Sequence, residues 1–237
     1  MNTAKTIRLF CISTVILAST NPLSAQVKQS KDVLEAYAVC NQFQTTLSKD
    51  LNFSDAFEAT FAADMKRRRE IALRDGEFGG ADFSSVDSET LVSAYKNRMQ
   101  LVYLMLPLAG PTDYEEEALF FPPEINAIFK RATPQSASDF PAYASQLESD
   151  VLKFRTHLTD LAARNPRVAV RLSQFKHDVL AGKLVPPKTR RVSPERGSYS
   201  AHAVWDGEPY YEFDGYTVVK EGNQMKIVSI RFFTRLF

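Results

Sequence analysis

The sequence predicts an α+β fold that is mainly helical, with a C-terminal antiparallel β-meander packed on the helices. From residue 31 to residue 182, apolar residues recur at steps of three and four, which is the period of amphipathic helices. A Pro-rich and basic stretch follows, and beyond residue 198 aromatic and β-branched residues dominate. Asp-Gly and Gly-Asn pairs interrupt this last segment, as is typical of strands joined by tight turns.

The N-terminus has the pattern of a secretory signal peptide over residues 1–25. Two basic residues precede an apolar run at residues 9–17, and small residues lead to the expected cleavage point. The run is too short to span a bilayer, which takes roughly 20 residues. We therefore expect cleavage between Ala25 and Gln26. The mature protein should be soluble, without a transmembrane span, and exported to the periplasm or beyond, in the setting of a bacterial cell.

Charge and cysteine content narrow the class of the mature protein. The whole chain has 29 basic and 28 acidic residues, and removal of the signal peptide takes away Lys5 and Arg8 but no acid, which leaves a charge of about −1. The chain therefore lacks the excess of positive charge that is typical of nucleic-acid-binding proteins, and we expect no nucleic-acid partner. Of the two cysteines only Cys40 survives cleavage, which excludes an intramolecular disulfide.

We expect the mature chain to form a single domain over residues 26–237. Its length suits one substantial hydrophobic core. Within it, composition separates a helical part at 26–185, a basic loop at 186–197 and a β-meander at 198–237.

The N-terminal half predicts a series of amphipathic helices. The first starts at Lys31 and carries one apolar stripe, formed by Val33, Tyr37, Cys40, Phe43 and Leu47. The segment 54–73 predicts one or two short helices, with Ser54 available as the cap. Glycines and acids then indicate a loop at 75–87, after which Asp87 or Ser88 can cap a helix that reaches Leu106.

The clearest periodicity predicts one long helix. Its apolar stripe comprises Phe140, Ala144, Leu147, Val151, Phe154, Leu158 and Leu161. A brief helix starting at Pro122-Pro123 precedes it, and Asn165-Pro166 ends it. The same spacing continues to Gly182, so we expect the two helices to pack as an antiparallel hairpin. A coiled-coil partner would give the same pattern, but burial in the protein's own core is favoured because the repeat lasts barely three heptads.

Three strands are predicted after the basic loop. One ends at Trp205, a second covers 210–220, and a third covers 225–233. A sheet of this size buries too little apolar surface to fold alone, so one face should lie against the helices.

The residue types that carry chemistry are sparse. Cys40 lies on an apolar stripe and should be an inert, buried thiol. His157 and His177 can approach each other across the predicted hairpin, although two exposed helix-surface histidines are the favoured interpretation. The sequence has no GxSxG or HExxH motif and no SxxK placed before a plausible set of partner residues, so we expect no catalytic, metal or cofactor site.

Three further patterns leave alternatives open. The acids of the 75–87 loop fit calcium poorly, because two ligand positions of an EF-hand loop would fall on Gly79 and Val86. The basic runs at 66–69 and 188–196 can contact anionic lipid, glycan or nucleic acid, although a solvated surface is favoured. Asn52 begins a glycosylation acceptor triplet.

The absence of catalytic motifs favours a non-catalytic binding or interaction protein of the cell envelope. One alternative is a small hydrolase with a dispersed site drawn from His202, Asp206 and Glu208. Another is a chaperone or assembly factor that holds a partner with the long helix. A pocket lined by C-terminal aromatic residues would suit a binder, the candidates being Trp205, Tyr210, Tyr211, Phe213 and Tyr216.

Overall fold

A computed structural model of the protein describes residues 31–76, 78, 82–108, 118–182, 203–205, 208–213 and 215–230. The helices are α1 (Lys31–Asp50), α2 (Phe53–Thr60), α3 (Met65–Asp75), α4 (Ser88–Met105), α5 (Pro123–Phe129), α6 (Phe140–Arg164) and α7 (Pro166–Gln174). The strands are β1 (Ala203–Trp205), β2 (Glu208–Phe213), β3 (Tyr216–Glu221) and β4 (Gln224–Ile230). The predicted α+β class is confirmed. The predicted signal peptide, the Ala25–Gln26 cleavage point and the 186–197 loop lie outside the described residues.

The link between α1 and α2 turns sharply at Leu51, whose φ of 59° is in the left-handed region. A buried amide holds this turn in place. The Gln100 side chain donates from Nε2 to the Leu51 carbonyl and accepts at Oε1 from the Phe53 amide, the latter over 2.8 Å. Asn52 then caps α2 by accepting a hydrogen bond from the Asp55 amide. The cap is therefore Asn52 and not Ser54, because the helix begins at Phe53, two residues earlier than a Ser54 cap would place it.

The basic run at 66–69 does not form the solvated helix face that the sequence favours. The Arg69 guanidinium donates to the carbonyls of Phe83 and Ser84 over 2.8 and 3.1 Å, and so fastens the loop before α4 to α3. Arg68 pairs with Glu58 at 2.7 Å. Partial burial alone would raise the pKa of Glu58, but the hydrogen bonds from its basic partners lower it. Much of this charge is therefore engaged within the molecule.

Helix α4 is the central element, since α2, α3 and α6 all pack against it. The core around it is rich in aromatic rings. Phe57 and Phe61 stack with centroids 4.4 Å apart, and Phe53 stacks on Tyr103 at 5.5 Å. Such pairs add about 0.5–1.5 kcal/mol beyond the area that they bury. Cys40 is fully buried in the same core, as predicted.

The long helix α6 buries its apolar stripe inside the protein. Phe140, Leu147, Phe154, Leu158 and Leu161 are all buried. Val151 is only half-buried, contrary to expectation. The chief partner of α6 is α4 rather than α7, so the predicted hairpin is not the main packing contact. An antiparallel pair of helices is joined by a loop of about 2–5 residues, whereas Asn165 alone separates α6 from α7. A π-helical turn at 175–180 follows α7.

The C-terminal sheet is an antiparallel meander with strand order β1-β2-β3-β4. It contains one strand more than predicted. Gly215, with φ of 79°, turns the chain between β2 and β3 and so divides the predicted strand at 210–220. Gly222, with φ of 60°, forms the next turn. Strand β4 ends at Ile230, and residues 231–233 lie outside the described residues.

The sheet packs on the helices as predicted. Val218 and Ile227 are fully buried, and the ring of Tyr216 meets that of Phe43 on α1 with centroids 6.1 Å apart. At the β4 edge, the Ala62 amide donates to the Ile227 carbonyl over 3.2 Å. These contacts join the sheet to the helical core.

Candidate functional site

A cleft of about 390 Å³ opens beside the C-terminal half of α6. We call it the α6 cleft. Its lining comprises Ala118, Leu119 and Pro122 on one wall and His157, Asp160, Leu161, Arg164 and Asn165 on the other. Small-molecule sites are typically concave, mostly apolar and furnished with a few convergent polar groups, and this cleft has that composition.

Helical periodicity places the polar groups of one wall together. His157, Asp160, Leu161 and Arg164 recur at steps of three, one and three, which puts them on one face of α6. Asn165 ends this helix and caps the next, since its side chain accepts a hydrogen bond from the Arg167 amide over 3.0 Å. The helix break thus fixes the inner end of the cleft.

The opposite wall is attached to α6 and α7 by its backbone and by an aromatic ring. His157 Nε2 lies 3.1 Å from the Phe120 carbonyl, and because a carbonyl only accepts, this nitrogen carries the proton. The Phe120 ring is buried under the Arg171 guanidinium, 5.4 Å from the ring centroid. Asn126 donates to the Phe121 carbonyl over 2.6 Å. Contacts within the protein therefore hold this wall in place.

The mouth of the cleft carries one charge of each sign. Asp160 Oδ2 and Arg164 Nη2 are 3.8 Å apart, and the two side chains are 58% and 80% exposed. The same lining includes the apolar side chains of Leu161, which is buried, and of Leu119 on the opposite wall, which is 45% exposed. The site can therefore offer apolar contact and both kinds of charge to one small molecule.

A second and wider hollow of about 500 Å³ lies between α1, α2 and the β3–β4 turn. Most of its lining is amide or charged, including Glu35, Gln42, Asn223, Gln224 and Lys226. Among the described residues, its lining is more polar than apolar, whereas that of the α6 cleft is more apolar than polar and so closer to a typical ligand site. The α6 cleft is therefore the stronger candidate site.

The histidine pair weighed from the sequence is not brought together as a metal site. His157 lines the α6 cleft, whereas His177 is exposed and contacts Asp178 at 2.8 Å. Among the residues that the structure describes, no group of three or more His, Cys, Asp or Glu side chains is placed to hold a metal ion.

The acids around the 75–87 loop serve local structure. Asp75 pairs with Arg74 at 2.7 Å, and Asp82 accepts from the Ser84 amide over 2.8 Å. Asp87 caps α4 by accepting from the Thr90 amide, and this hydrogen bond lowers the pKa of the carboxyl group. An ion pair, a turn contact and a helix cap thus account for these three acids.

The other candidates are dispersed or lie outside the described residues. His202 and Asp206 lie outside them, and Glu208 is in β2 with a side chain that is not described. Tyr216 is a core residue, and the Tyr211 hydroxyl donates to Asp32 over 3.3 Å. Tyr210 packs half-buried against the core, and the side chains of Trp205 and Phe213 are not described.

Sequence reasoning named one residue of the cleft, His157, as a candidate site residue, and named Pro122, Leu161 and Asn165 only for their structural roles. Asp160 and Arg164 share the helix face of His157 and directly precede the Asn165-Pro166 break. Polar residues grouped at a helix end were the available signal. The position of Leu119 on the facing wall carries no comparable signal.

A comparison with known protein families, curated proteins and solved structures found no match to this chain. In the described part of the chain, none of the helices combines the length and the apolar character needed to cross a membrane.

Proposed function

We propose that this protein is an exported, non-catalytic binding protein that holds a small amphipathic molecule in the α6 cleft. The observation that supports this most directly is the α6 cleft itself, whose lining combines apolar side chains with the Asp160–Arg164 pair. Its volume of about 390 Å³ is at the small end of the range for ligand pockets, about 300–1,000 Å³.

The lining of the cleft favours binding over hydrolysis. Among the described residues that line it, none is a Ser, Thr or Cys that could act as a nucleophile. The one histidine, His157, directs its protonated nitrogen to a backbone carbonyl, which fixes the wall. The packing of α6 also argues against the chaperone alternative, because the long apolar stripe is already buried by the protein's own core.

Export is the second part of the proposal. It rests on the order of basic residues, apolar run and small residues over positions 1–25. Mass spectrometry of the protein recovered from a bacterial periplasm or culture medium should show a chain that begins at Gln26. Recovery of the intact chain in the cytoplasm alone would contradict export.

The binding site can be tested with the fluorescent probe 1-anilinonaphthalene-8-sulfonate, which has an apolar body and one anionic group. We expect saturable binding at one site on the folded protein. Leu119→Asp should weaken binding about tenfold or more, because it places a carboxylate on the apolar wall opposite α6.

Leu152→Asp is the matched control. Leu152 is on α6, 68% exposed and absent from the cleft lining, so the same charge change should leave the affinity within about twofold. Equal affinities for the two variants would show that the probe does not occupy the cleft and would refute the proposal.

A further inference from the structure

The two charges at the mouth of the α6 cleft are placed to meet a ligand. The Asp160 Oδ2 and Arg164 Nη2 atoms are 3.8 Å apart. This distance exceeds the roughly 2.7–2.9 Å of a charge-assisted hydrogen bond. An exposed pair of this kind contributes little to stability, so little is lost when a ligand separates the partners. Both side chains remain largely exposed.

The backbone of α7 cannot supply the anion-binding groups instead. Pro166 has no N–H, the Arg167 amide donates to the Asn165 side chain, and the Val168 amide donates to the Asn165 carbonyl over 3.1 Å. A helix N-terminus binds anions through such amides when they point at the ligand. Here they are engaged, and Arg164 is the cationic side chain of the described lining that can pair with an anionic group in the cleft.

Charge complementarity decides the ligand class. A simple anion would be attracted by Arg164 but repelled by Asp160, and a simple cation would be attracted by Asp160 but repelled by Arg164. A molecule that carries both charges on neighbouring atoms satisfies both residues. Leu119, Pro122 and Leu161 then offer an apolar surface to the rest of that molecule.

From the proposed binding function, we infer that the ligand class of the α6 cleft is a free amino acid with an apolar side chain. Its ammonium group contacts Asp160, its carboxylate contacts Arg164, and its side chain lies on Leu119 and Leu161. A cleft of about 390 Å³ suits a molecule of this size better than a long lipid or an extended peptide.

The test uses isothermal titration calorimetry on the full chain with three related probes. L-Leucine carries both charges, N-acetyl-L-leucine lacks the ammonium group, and L-leucinamide lacks the carboxylate. We expect L-leucine to bind about tenfold more tightly than either analogue. Glycine, which lacks the side chain, should bind more weakly still.

Two variants assign each charge to its partner. Asp160→Asn should remove the preference for L-leucine over N-acetyl-L-leucine, and Arg164→Gln should remove the preference over L-leucinamide. Glu148→Gln and Lys153→Gln are the matched controls, since they remove the same charges from exposed positions of α6 outside the cleft lining. Both controls should retain the wild-type order of affinities.

The possible outcomes separate this inference from the proposed function. If the fluorescent probe binds and Leu119→Asp abolishes its binding, but L-leucine neither binds nor displaces it, the amino-acid inference is wrong and the binding function stands. Equal affinity for L-leucine and N-acetyl-L-leucine would likewise overturn the inference. If the fluorescent probe also fails to bind in the cleft, both are wrong.

Discussion

Gln100→Met should destabilise the protein strongly, because it replaces a carboxamide with a thioether chain of similar length that cannot make the same hydrogen bonds. Gln100 is only 4% exposed, and its amide makes two hydrogen bonds to the link between α1 and α2. One partner, Leu51, adopts a left-handed backbone conformation that a non-glycine residue rarely takes. The substitution leaves the Leu51 carbonyl and the Phe53 amide without their partners.

The magnitude follows from these two groups. Each buried polar group that loses its hydrogen bond costs about 1–3 kcal/mol. Some relaxation of the turn toward water offsets part of that cost, so we expect a loss of about 2–4 kcal/mol in the free energy of unfolding. The loss should appear as a lower urea midpoint with an unchanged m-value.

Urea titration followed by far-ultraviolet circular dichroism measures this effect. The matched control is Gln135→Met, which removes an exposed amide that donates to the Thr133 carbonyl over 3.2 Å. We expect a change within about 0.5 kcal/mol for the control. If Gln100→Met costs less than about 1 kcal/mol, the buried amide does not hold the turn and the description of the α1–α2 link is wrong.

Three further predictions concern α6, α4 and the buried tyrosines. Phe154→Ala should lower the free energy of unfolding by about 3–5 kcal/mol, because the ring is fully buried. Leu152→Ala, on the exposed side of α6, should lower it by less than about 0.5 kcal/mol. Similar losses for the two variants would contradict the assigned faces of the helix. Asp87→Ala should cost about 1 kcal/mol at neutral pH. The hydrogen bond from the Thr90 amide lowers the pKa of Asp87 in the folded state. The difference in stability between Asp87→Ala and the wild type should therefore persist above the unfolded pKa of about 3.9 and vanish as the pH falls through the lower folded pKa. A difference in urea midpoint that stays constant down to about pH 2 would exclude the charged cap. Burial raises the pKa of Tyr95 and Tyr103 well above the ordinary value, so their protonated forms stabilise the fold below about pH 10 and this contribution is lost at higher pH. In an alkaline absorbance titration these two phenols should ionise only with unfolding, and ionisation of every tyrosine in the intact fold would contradict their burial.

Local patterns in the sequence were sufficient to predict the helices, since each signal lies within a few residues of the element. Asp87 was available as a cap because a capping side chain bonds to an amide only three residues ahead. Cys40 was placed in the core because its stripe repeats over the whole of α1. The long helix α6 was predicted to begin at Phe140 and to end before Asn165-Pro166, as observed.

Interactions between distant segments were not predictable in the same way. Arg69 belongs to a run that resembles a solvated surface, and only the fold shows that loop carbonyls 14 and 15 residues later accept its hydrogen bonds. Gln100 bonds to a turn 47 residues earlier and carries no local signal. The split of the predicted strand at 210–220 depended on whether Gly215 formed a turn or a bulge, and a single glycine is compatible with both.

The candidate site was harder to predict than the fold. One wall of the α6 cleft follows from helical periodicity, because His157, Asp160 and Arg164 share a face. The other wall depends on the packing of residues 118–122 against α6, which is fixed by the hydrogen bond between His157 and the Phe120 carbonyl. A contact across 37 residues of chain has no signature in a single sequence.

The most direct test of the central claim is a methyl NMR titration of the full chain with L-leucine. The methyl signals of Leu119 and Leu161 should shift saturably and with one dissociation constant, while those of Leu152 stay in place. The absence of any saturable shift, or shifts centred on Val39 and Met225 in the second hollow, would contradict the assignment of the α6 cleft as the ligand site.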